Sequence, residues 1–388
     1  MPFKFDILFE IEVARPWDGR KERDRFHEAL EQAVFAEQMG FDTIWIVEHH
    51  FLQEFAHSSA PEVLLGALAM RTTRIRIGHG VVLMLDPINH PIRVAERAAT
   101  IDILSDGRLE MGTGRSSSPY QVESFGVDPN TTREQWEEGL RLLPKIWASQ
   151  DMTYEGRFWS WKDKITVLPK PLQKPHPPLW VAATQPDTCR LAGELGIGLL
   201  CPAIGPPEMF RGHVKAYKDA VANPIDVAGE FVNDNVGLFT VTFCHDDDEK
   251  ARYLGGSAGL WYINTVAEIY KNDWRGVPLE EVPDAYKYHA EMRRRGRGVN
   301  TATGIELGEN DEKSWNDLID SGAFCVGDPA GVLEKVELYR AAGADRLVSV
   351  MQLADLRHED LMRCIELMGT KVIPRVRELE DAEELATR

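Results

Sequence analysis

The chain has 388 residues, of which 43% are hydrophobic and 27% are charged. This length and composition suit one large barrel or two ordinary domains with a well-solvated surface. Acidic residues outnumber basic ones by 62 to 44, which gives a net charge of −18. Because such a surface repels phosphate backbones and anionic lipids, we expect neither nucleic acid nor membranes as partners.

The cysteines and the N-terminal residues indicate the cellular compartment of the protein. The chain has five cysteines: Cys189, Cys201, Cys244, Cys325 and Cys364. They form neither a CxxC pair nor a zinc-binding spacing, which indicates reduced thiols of an intracellular protein and no metal site. Residues 1–6 are too short and too mixed for a secretion signal, and no apolar stretch is long enough to cross a bilayer. We therefore expect a cytoplasmic protein.

Short apolar segments alternate with longer amphipathic ones along the chain. The pattern predicts strands at residues 5–11, 43–47, 75–83, 108–113, 179–183, 198–201, 236–244 and 346–351. It predicts helices at residues 23–39, 61–71, 91–104, 133–148, 188–195, 207–222, 329–342 and 358–368. Strands that alternate with helices in this way predict an α/β fold, a (β/α)₈ TIM barrel with insertions. A doubly wound open sheet is the competing architecture.

Two regions have no place in this alternation, and we interpret both as insertions in a single barrel domain that spans residues 1–388. Residues 152–178 are rich in aromatic residues and prolines, and the prolines exclude one continuous helix. Residues 255–321 contain several aromatic residues and the basic run 293–297. A long insertion at the active face is typical of a lid, whereas a charge run is equally typical of a solvated loop.

The second predicted strand stops abruptly at Glu48, His49 and His50. In a parallel barrel the active site lies at the carboxyl ends of the strands, so this position predicts a catalytic role. A neutral imidazole suits proton transfer near pH 7. Neighbouring residues of an extended chain point to opposite sides, so a metal site made by the histidine pair is disfavoured. The alternative is a structural histidine bound to a backbone carbonyl.

The fourth predicted strand runs into Gly114, Arg115 and Ser116. Glycine lets the backbone approach a ligand, arginine offers a bidentate pair of donors, and hydroxyls add further donors, so the segment suits a phosphate. It matches neither a P-loop nor a dinucleotide fingerprint. A tight turn with a solvated arginine is the alternative interpretation.

The fifth predicted strand ends at Ala183, and Thr184 and Gln185 lead into a helix. Free N–H groups at a helix N-terminus favour anions, so this strand end and the Arg115 strand end predict two halves of one phosphate site. The alternative interpretation is an ordinary helix N-cap.

Several segments, in this order along the chain, resemble the bacterial luciferase-like flavin monooxygenases. They cover residues 40–51, 90–96, 107–115, 182–188, 326–329 and 342–345. The resemblance implies a TIM-barrel enzyme that uses reduced FMN supplied by a separate flavin reductase. In this family O₂ adds at flavin C4a, and the resulting peroxyflavin oxygenates a small organic substrate. Relatives are often dimers, so a homodimer or a higher homo-oligomer is also implied.

By position, the resemblance makes His49 the catalytic histidine, with Glu48 and His50 beside it, and Arg115 the phosphate-binding arginine. The expected cofactor-binding residues are His79, Gly80, Arg115, Ser116, Ala183, Thr184 and Gln185. Residues 78–81 match the strand that passes the isoalloxazine ring, often through a cis peptide bond that does not involve proline.

Two departures from the family pattern limit what the resemblance implies. Gly114 stands where luciferase has a cysteine, so light emission from a long-chain aldehyde is not implied. Gln185 stands where many relatives have serine, which leaves the phosphate contact open. Two other functions remain as alternatives: a deazaflavin-dependent hydride-transfer enzyme on the same fold, and a non-catalytic flavin-binding protein.

Overall fold

The predicted strands pair edge to edge in the computed structural model, which describes residues 2–116, 118–269, 277–287, 290–291 and 311–387. The strands within these ranges are β1 (Lys4–Phe9), β2 (Thr43–Ile46), β3 (Arg76–Leu83), β4 (Leu109–Gly114), β5 (Met152–Glu155), β6 (Ser160–Ile165), β7 (Leu179–Ala182), β8 (Gly198–Pro202), β9 (Val236–Cys244), β10 (Cys325–Gly327) and β11 (Arg346–Val350). All the predicted strands are present, with ends that differ by at most two residues. The sequence pattern missed β5, β6 and β10.

The sheet closes on itself. In the ring order β1, β2, β3, β4, β7, β8, β9 and β11, each strand is parallel to both of its neighbours, and β11 returns to β1. Strand β10 lies outside the ring and pairs with β9. The predicted (β/α)₈ barrel is therefore confirmed, and the competing open sheet is wrong.

Helices surround this barrel. They are α1 (Gly19–Gln38), α2 (Pro61–Arg71), α3 (Pro91–Leu104), α4 (Pro119–Ser124), α5 (Thr132–Ala148), α6 (Pro186–Glu194), α7 (Arg211–Val221), α8 (Asp248–Ala251), α9 (Ser257–Ile269), α10 (Glu312–Asp320), α11 (Pro329–Ala341), α12 (His358–Leu367) and α13 (Ile373–Thr387). Proline occupies the first turn of both α2 and α3, where its fixed φ favours the start of a helix. No described helix is long and apolar enough to span a bilayer.

Large side chains fill the barrel where its strands begin. The indole rings of Trp45 on β2 and Trp180 on β7 meet across the barrel, with their centroids 5.2 Å apart. Glycines on neighbouring strands make room for them, since a Cβ added at Gly78 would lie 2.6 Å from the Trp45 ring. A Cβ added at Gly198 would lie 2.3 Å from the Trp180 ring. This end of the barrel is therefore a packed core, and a ligand must enter at the other end.

A buried ion pair joins the first and last strands of the barrel. The guanidinium of Arg346 on β11 donates to Oδ2 of Asp6 on β1 at 2.8 Å, and both residues are fully buried. The same Asp6 oxygen accepts from Nε1 of Trp45 at 2.9 Å, and the Arg346 guanidinium lies 4.8 Å from the Trp180 ring centre. Loss of the carboxylate would leave a cation in the core without its partner.

We expect Asp6→Ala to lower the free energy of unfolding by about 3–5 kcal/mol, because it leaves the Arg346 charge buried and unpaired. Urea denaturation followed by circular dichroism measures the change. The control is Asp219→Ala, which breaks an exposed pair with Lys215 and should cost at most about 1 kcal/mol. Equal effects of the two substitutions would contradict the assigned role of the buried pair.

The two predicted insertions contain regular structure. Residues 152–178 include the antiparallel hairpin β5–β6, and residues 255–321 include α9 and α10. The basic run 293–297 lies outside the described residues. Helix α9 directs Tyr262 to the barrel mouth, where its hydroxyl forms a hydrogen bond with Glu10. The lid role of this region and the assignment of one domain stay predictions.

All five cysteines are buried and none forms a disulfide bond. In the described part of the chain, no group of three or more histidine, cysteine, aspartate or glutamate side chains could hold a metal ion.

Candidate active site

The carboxyl ends of β1, β2, β3, β4 and β7 lie side by side around one mouth of the barrel, because these strands are parallel neighbours. The predicted catalytic residues Glu48, His49 and His50 follow β2. The predicted cofactor-binding residues lie in β3 (His79 and Gly80), after β4 (Arg115 and Ser116) and after β7 (Ala183, Thr184 and Gln185). The structure therefore brings all of them to the same end of the barrel.

One side chain connects the β2 end with the β4 end. Gln121, in the short helix α4, is fully buried. Its Oε1 accepts from the backbone N–H of His50 at 2.9 Å and lies 3.3 Å from Nδ1 of His49. Its Nε2 donates to Oγ of Ser116, next to Arg115, at 3.2 Å. The histidine and arginine segments are therefore parts of one site.

His49 lies in an enclosed, partly apolar environment. Its ring centroid is 5.6 Å from that of Phe55, and 23% of its side chain is accessible. Its Nε2 faces Oε2 of Glu10, the residue after β1, at 3.6 Å. Burial lowers the pKa of His49 to about 4, so the imidazole is neutral near pH 7.

Glu48 has several hydrogen-bond partners. Its Oε2 accepts from the backbone N–H of Leu83 at 2.6 Å, and the amide nitrogen of Asn89 lies 2.9 and 3.2 Å from its two oxygens. Its Oε1 is 3.1 Å from Nε2 of His50, whose ring packs edge-on against Phe125. These contacts fix the ends of β2 and β3, so Glu48 and His50 act on the shape of the site. Their catalytic roles stay predictions.

Strand β3 has an unusual backbone and a buried, neutral histidine near the mouth. The Gly80–Val81 peptide bond is cis, in agreement with the implication of the resemblance. Burial, together with the positive charge of Arg97, lowers the pKa of His79 to about 3, and its Nδ1 has no hydrogen-bond partner among the described residues. A Cβ added at Gly114 would lie 2.4 Å from the Val81 side chain, so glycine permits this close approach of β3 and β4.

The predicted phosphate-binding residues lie together. Thr113 on β4 pairs with Val181 on β7, so the residues that follow the two strands are adjacent. After β4 the chain turns at Ser116, whose φ is +66°. After β7 it enters helix α6, and the Gln185 side chain makes no capping hydrogen bond. The first-turn N–H groups of α6 are therefore available to an anion.

Positive charge is concentrated at this end of the mouth. Burial lowers the pKa of Arg115, and the charge of Arg133 on α5 lowers it further, whereas Tyr286 raises it. Arg133 donates to Oγ1 of Thr188 on α6 at 3.3 Å. The Arg115 guanidinium lies 5.6 Å from the centre of the Tyr286 ring. Two arginines and a helix N-terminus are the groups that an anionic ligand would favour, and the phosphate-binding role of these residues stays a prediction.

Sequence reasoning missed five residues of this site, and each has a role only through contacts that are distant along the chain. They are Glu10, Gln121, Arg133, Tyr262 and Tyr286. Tyr262 and Tyr286 lie in the aromatic insertion 255–321 that we interpreted as a possible lid, whereas Glu10 was predicted to lie inside the first strand.

Comparison with known proteins places the fold and site in a family. A family model described as luciferase-like monooxygenase matches residues 4–346. The chain is 33% identical over 352 residues to 4-hydroxyprotoasukamycin monooxygenase of Streptomyces nodosus subsp. asukaensis, which covers 89% of this chain and 85% of the relative. It is 27% identical over 272 residues to the oxygenase component of the flavin-dependent trigonelline monooxygenase of Acinetobacter baylyi, which covers 70% and 72%.

The relatives differ in cofactor. An F420-dependent glucose-6-phosphate dehydrogenase of Microbacterium testaceum is 33% identical over 241 residues, which cover 58% of this chain and 68% of the relative. Homologues of the chain are therefore monooxygenases and other oxidoreductases.

Solved structures have the same fold. The monooxygenase RslO1 from Streptomyces bottropensis superposes with a TM-score of 0.75 at 24% identity, over 97% of this chain and 99% of that one. The oxygenating constituent of 3,6-diketocamphane monooxygenase from Pseudomonas putida, in complex with FMN, superposes with a TM-score of 0.71 at 20% identity, over the same shares. Because the family model covers most of its length, this chain belongs to the luciferase-like monooxygenase family.

Proposed function

We propose that this chain is the oxygenase component of a two-component monooxygenase, which uses reduced FMN and O₂ to oxygenate a small organic substrate. A separate flavin reductase supplies the reduced FMN. The observation that carries the proposal is the Gln121 contact, because it joins the His49 imidazole to Ser116, one of the predicted phosphate-binding residues. A proton-transfer group and a phosphate site on one mouth are what a flavin oxygenase needs.

The residues present fit an FMN molecule. Arg115, Ser116 and the segment 183–185 would hold its phosphate with charge and N–H donors. His79 and Gly80 would lie along its ring system, as the resemblance implies, next to the cis Gly80–Val81 peptide bond. When bound, reduced FMN supplies the electrons that activate O₂.

The side chains around the ring site handle protons and exclude water. His49 is neutral near pH 7, so it can take up a proton and pass it to a ligand in the mouth. Phe55 and Tyr262 stack 5.4 Å apart beside it and contribute apolar surface. Exclusion of water favours the reaction with substrate over wasteful side reactions.

An F420-dependent hydride transfer is the second candidate, since an F420-dependent relative is 33% identical over 241 residues. F420 carries a further chain beyond its phosphate, whereas FMN ends there. Tyr286 is only 1% exposed and lies over Arg115, so it covers the end of the phosphate site. This cover favours FMN, the cofactor that the proposed reaction with O₂ uses.

For the histidine, we expect His49→Ala to keep FMN binding but to change the reoxidation rate of bound reduced FMN by about 10-fold or more. Stopped-flow absorbance after mixing anaerobic protein and reduced FMN with O₂ measures the rate. His27→Ala, on the exposed face of α1, is the matched control. A wild-type protein that leaves the reoxidation of free reduced FMN unchanged would support the non-catalytic alternative.

For the arginine, we expect Arg115→Ala to weaken FMN binding by about 10- to 100-fold, because a charge-assisted contact to phosphate is lost. Riboflavin, which has no phosphate, should bind the variant and the wild type alike. Flavin fluorescence titration measures both ligands, with the exposed Arg157 replaced by alanine as control. Equal losses for FMN and riboflavin would show that Arg115 does not bind phosphate.

For cofactor choice, we expect the wild type to bind FMN at least about 10-fold more tightly than F420, a difference of about 1.4 kcal/mol. Tyr286→Ala should narrow this ratio because it uncovers the phosphate end. Tyr253→Ala, at a position that is 64% exposed, should leave it unchanged. Competition titrations measure the ratio, and tighter binding of F420 by the wild type would favour the hydride-transfer alternative.

A further inference from the structure

Glu10 is a buried acid at the centre of the mouth. It follows β1 and is 4% exposed. The Tyr262 hydroxyl forms a hydrogen bond with its carboxyl group. The other oxygen, Oε2, has no hydrogen-bond partner among the described residues, although Nε2 of His49 lies 3.6 Å away. A buried polar atom without a hydrogen-bond partner requires a physical account.

The hydrogen bonds of Gln121 fix which nitrogen of His49 carries hydrogen. The backbone N–H of His50 can only donate, so the Gln121 atom that it contacts at 2.9 Å must be the carbonyl oxygen. The amide nitrogen of Gln121 then donates to Oγ of Ser116, whose own hydrogen can pass to the Ser118 carbonyl at 3.3 Å. Nδ1 of His49 therefore faces an acceptor, and in the neutral ring it must be the protonated nitrogen.

This tautomer leaves a lone pair on Nε2 of His49, directed at Oε2 of Glu10. An ionised carboxylate there would face a second acceptor and would be repelled. A protonated carboxyl would instead direct its hydrogen at Nε2, and a small shortening of the present 3.6 Å separation would form the hydrogen bond. Tyr262 engages the other oxygen, so Oε2 is the atom on which the proton lies.

The charges around the pair favour the same protonation state. Burial raises the pKa of Glu10 to about 8, although the Tyr262 hydrogen bond opposes the shift. Glu12, two residues along the chain, is also buried with a raised pKa, and the two acids disfavour each other's ionisation. Burial lowers the pKa of His49 to about 4, and the nearby His50 lowers it slightly further. Between pH 4 and 8 the pair thus carries one acidic proton, on Glu10.

We propose that Glu10 is the positioning residue of His49: its protonated carboxyl donates to Nε2, holds the imidazole in the Nδ1–H tautomer and stores the proton that His49 delivers. The proton passes from Oε2 to Nε2, which leaves a carboxylate and an imidazolium with no net change in charge. The imidazolium then gives its Nε2 proton to an acceptor in the mouth, which leaves the neutral Nδ1–H ring beside the Glu10 carboxylate. A proton from solvent then restores the carboxyl group. Use of this proton in oxygenation rests on the proposed function, whereas the pair itself does not.

The test is ¹⁵N NMR of the histidine side chains in the flavin-free full-length protein, with His49→Gln used to assign the signal. Between pH 5 and 7 we expect a protonated Nδ1 and an unprotonated Nε2 for His49. As pH rises through about 8, the pair loses its proton and the His49 shifts should move. Glu10→Gln keeps a hydrogen-bond donor of the same shape but has no acidic proton. The step in the His49 shifts near pH 8 should therefore vanish, while the Nδ1–H tautomer remains.

Glu12→Gln is the matched control, because Glu12 is an equally buried acid that accepts from the Ala354 backbone rather than facing His49. It should keep the step near pH 8. If Glu10→Gln does not fold, Glu10→Asp should keep a step but shift its pH, and an unshifted step would overturn the proposal. A protonated Nε2 at pH 6 in the wild type, or an unchanged step in Glu10→Gln, would also overturn it.

Activity supplies a second readout once a substrate is known. In the wild type, kcat should fall as pH rises through about 8, since the stored proton is then lost. Glu10→Gln should have a kcat lower by about 100-fold below that pH, with no such fall above it. If the NMR prediction holds and no oxygenation is found, the proposed function is wrong and the Glu10–His49 pairing is supported. If oxygenation is found and the NMR step is absent, only the Glu10–His49 pairing is wrong.

Discussion

Closure of the parallel sheet is the constraint on which the rest of the structure depends. Because each strand of the ring is parallel to both neighbours, every strand delivers its next residues to the same end. The opposite end is filled by the Trp45 and Trp180 rings and by the Asp6–Arg346 pair. A ligand therefore has one accessible mouth, and residues that are far apart along the chain share it.

Within that mouth, hydrogen bonds fix the arrangement of the functional groups. Gln121 holds the histidine segment against the segment after β4, and its orientation decides the tautomer of His49. Burial acts on the two facing groups in opposite directions: it raises the pKa of Glu10 and lowers that of His49. The fold thus sets the chemistry through desolvation more than through direct ion pairing.

The sequence predicted the barrel well because its strands are short apolar runs that end at turn residues. It also predicted the position of His49, since an acid and two histidines after the apolar run 43–47 stand out. It placed Glu10 inside a strand because residues 5–11 form one continuous pattern. In the structure β1 ends at Phe9, so Glu10 follows the strand. Ile11 adopts a φ of +57°, which a local sequence pattern does not predict for a β-branched residue.

Other parts of the site could not be predicted for a different reason. Gln121 lies in a helix of six residues, too short for a periodic pattern. Tyr262 and Tyr286 reach the mouth from a region more than two hundred residues after Glu10, and only the tertiary fold brings them there. The β5–β6 hairpin was missed because β5 has only four residues and β6 is mostly polar and exposed. Long-range contacts of this kind are set by packing, which a local pattern does not contain.

The central claim is that the ends of β2, β3, β4 and β7 form a single FMN site with the phosphate at Arg115 and the reactive ring beside His49. A crystal structure of the FMN complex tests it most directly. The account predicts the phosphate within hydrogen-bond distance of the Arg115 guanidinium and the N–H groups of α6, with the ring against Gly80 and within contact of His49. A flavin bound outside this mouth, or one with its phosphate toward His49, would contradict the account.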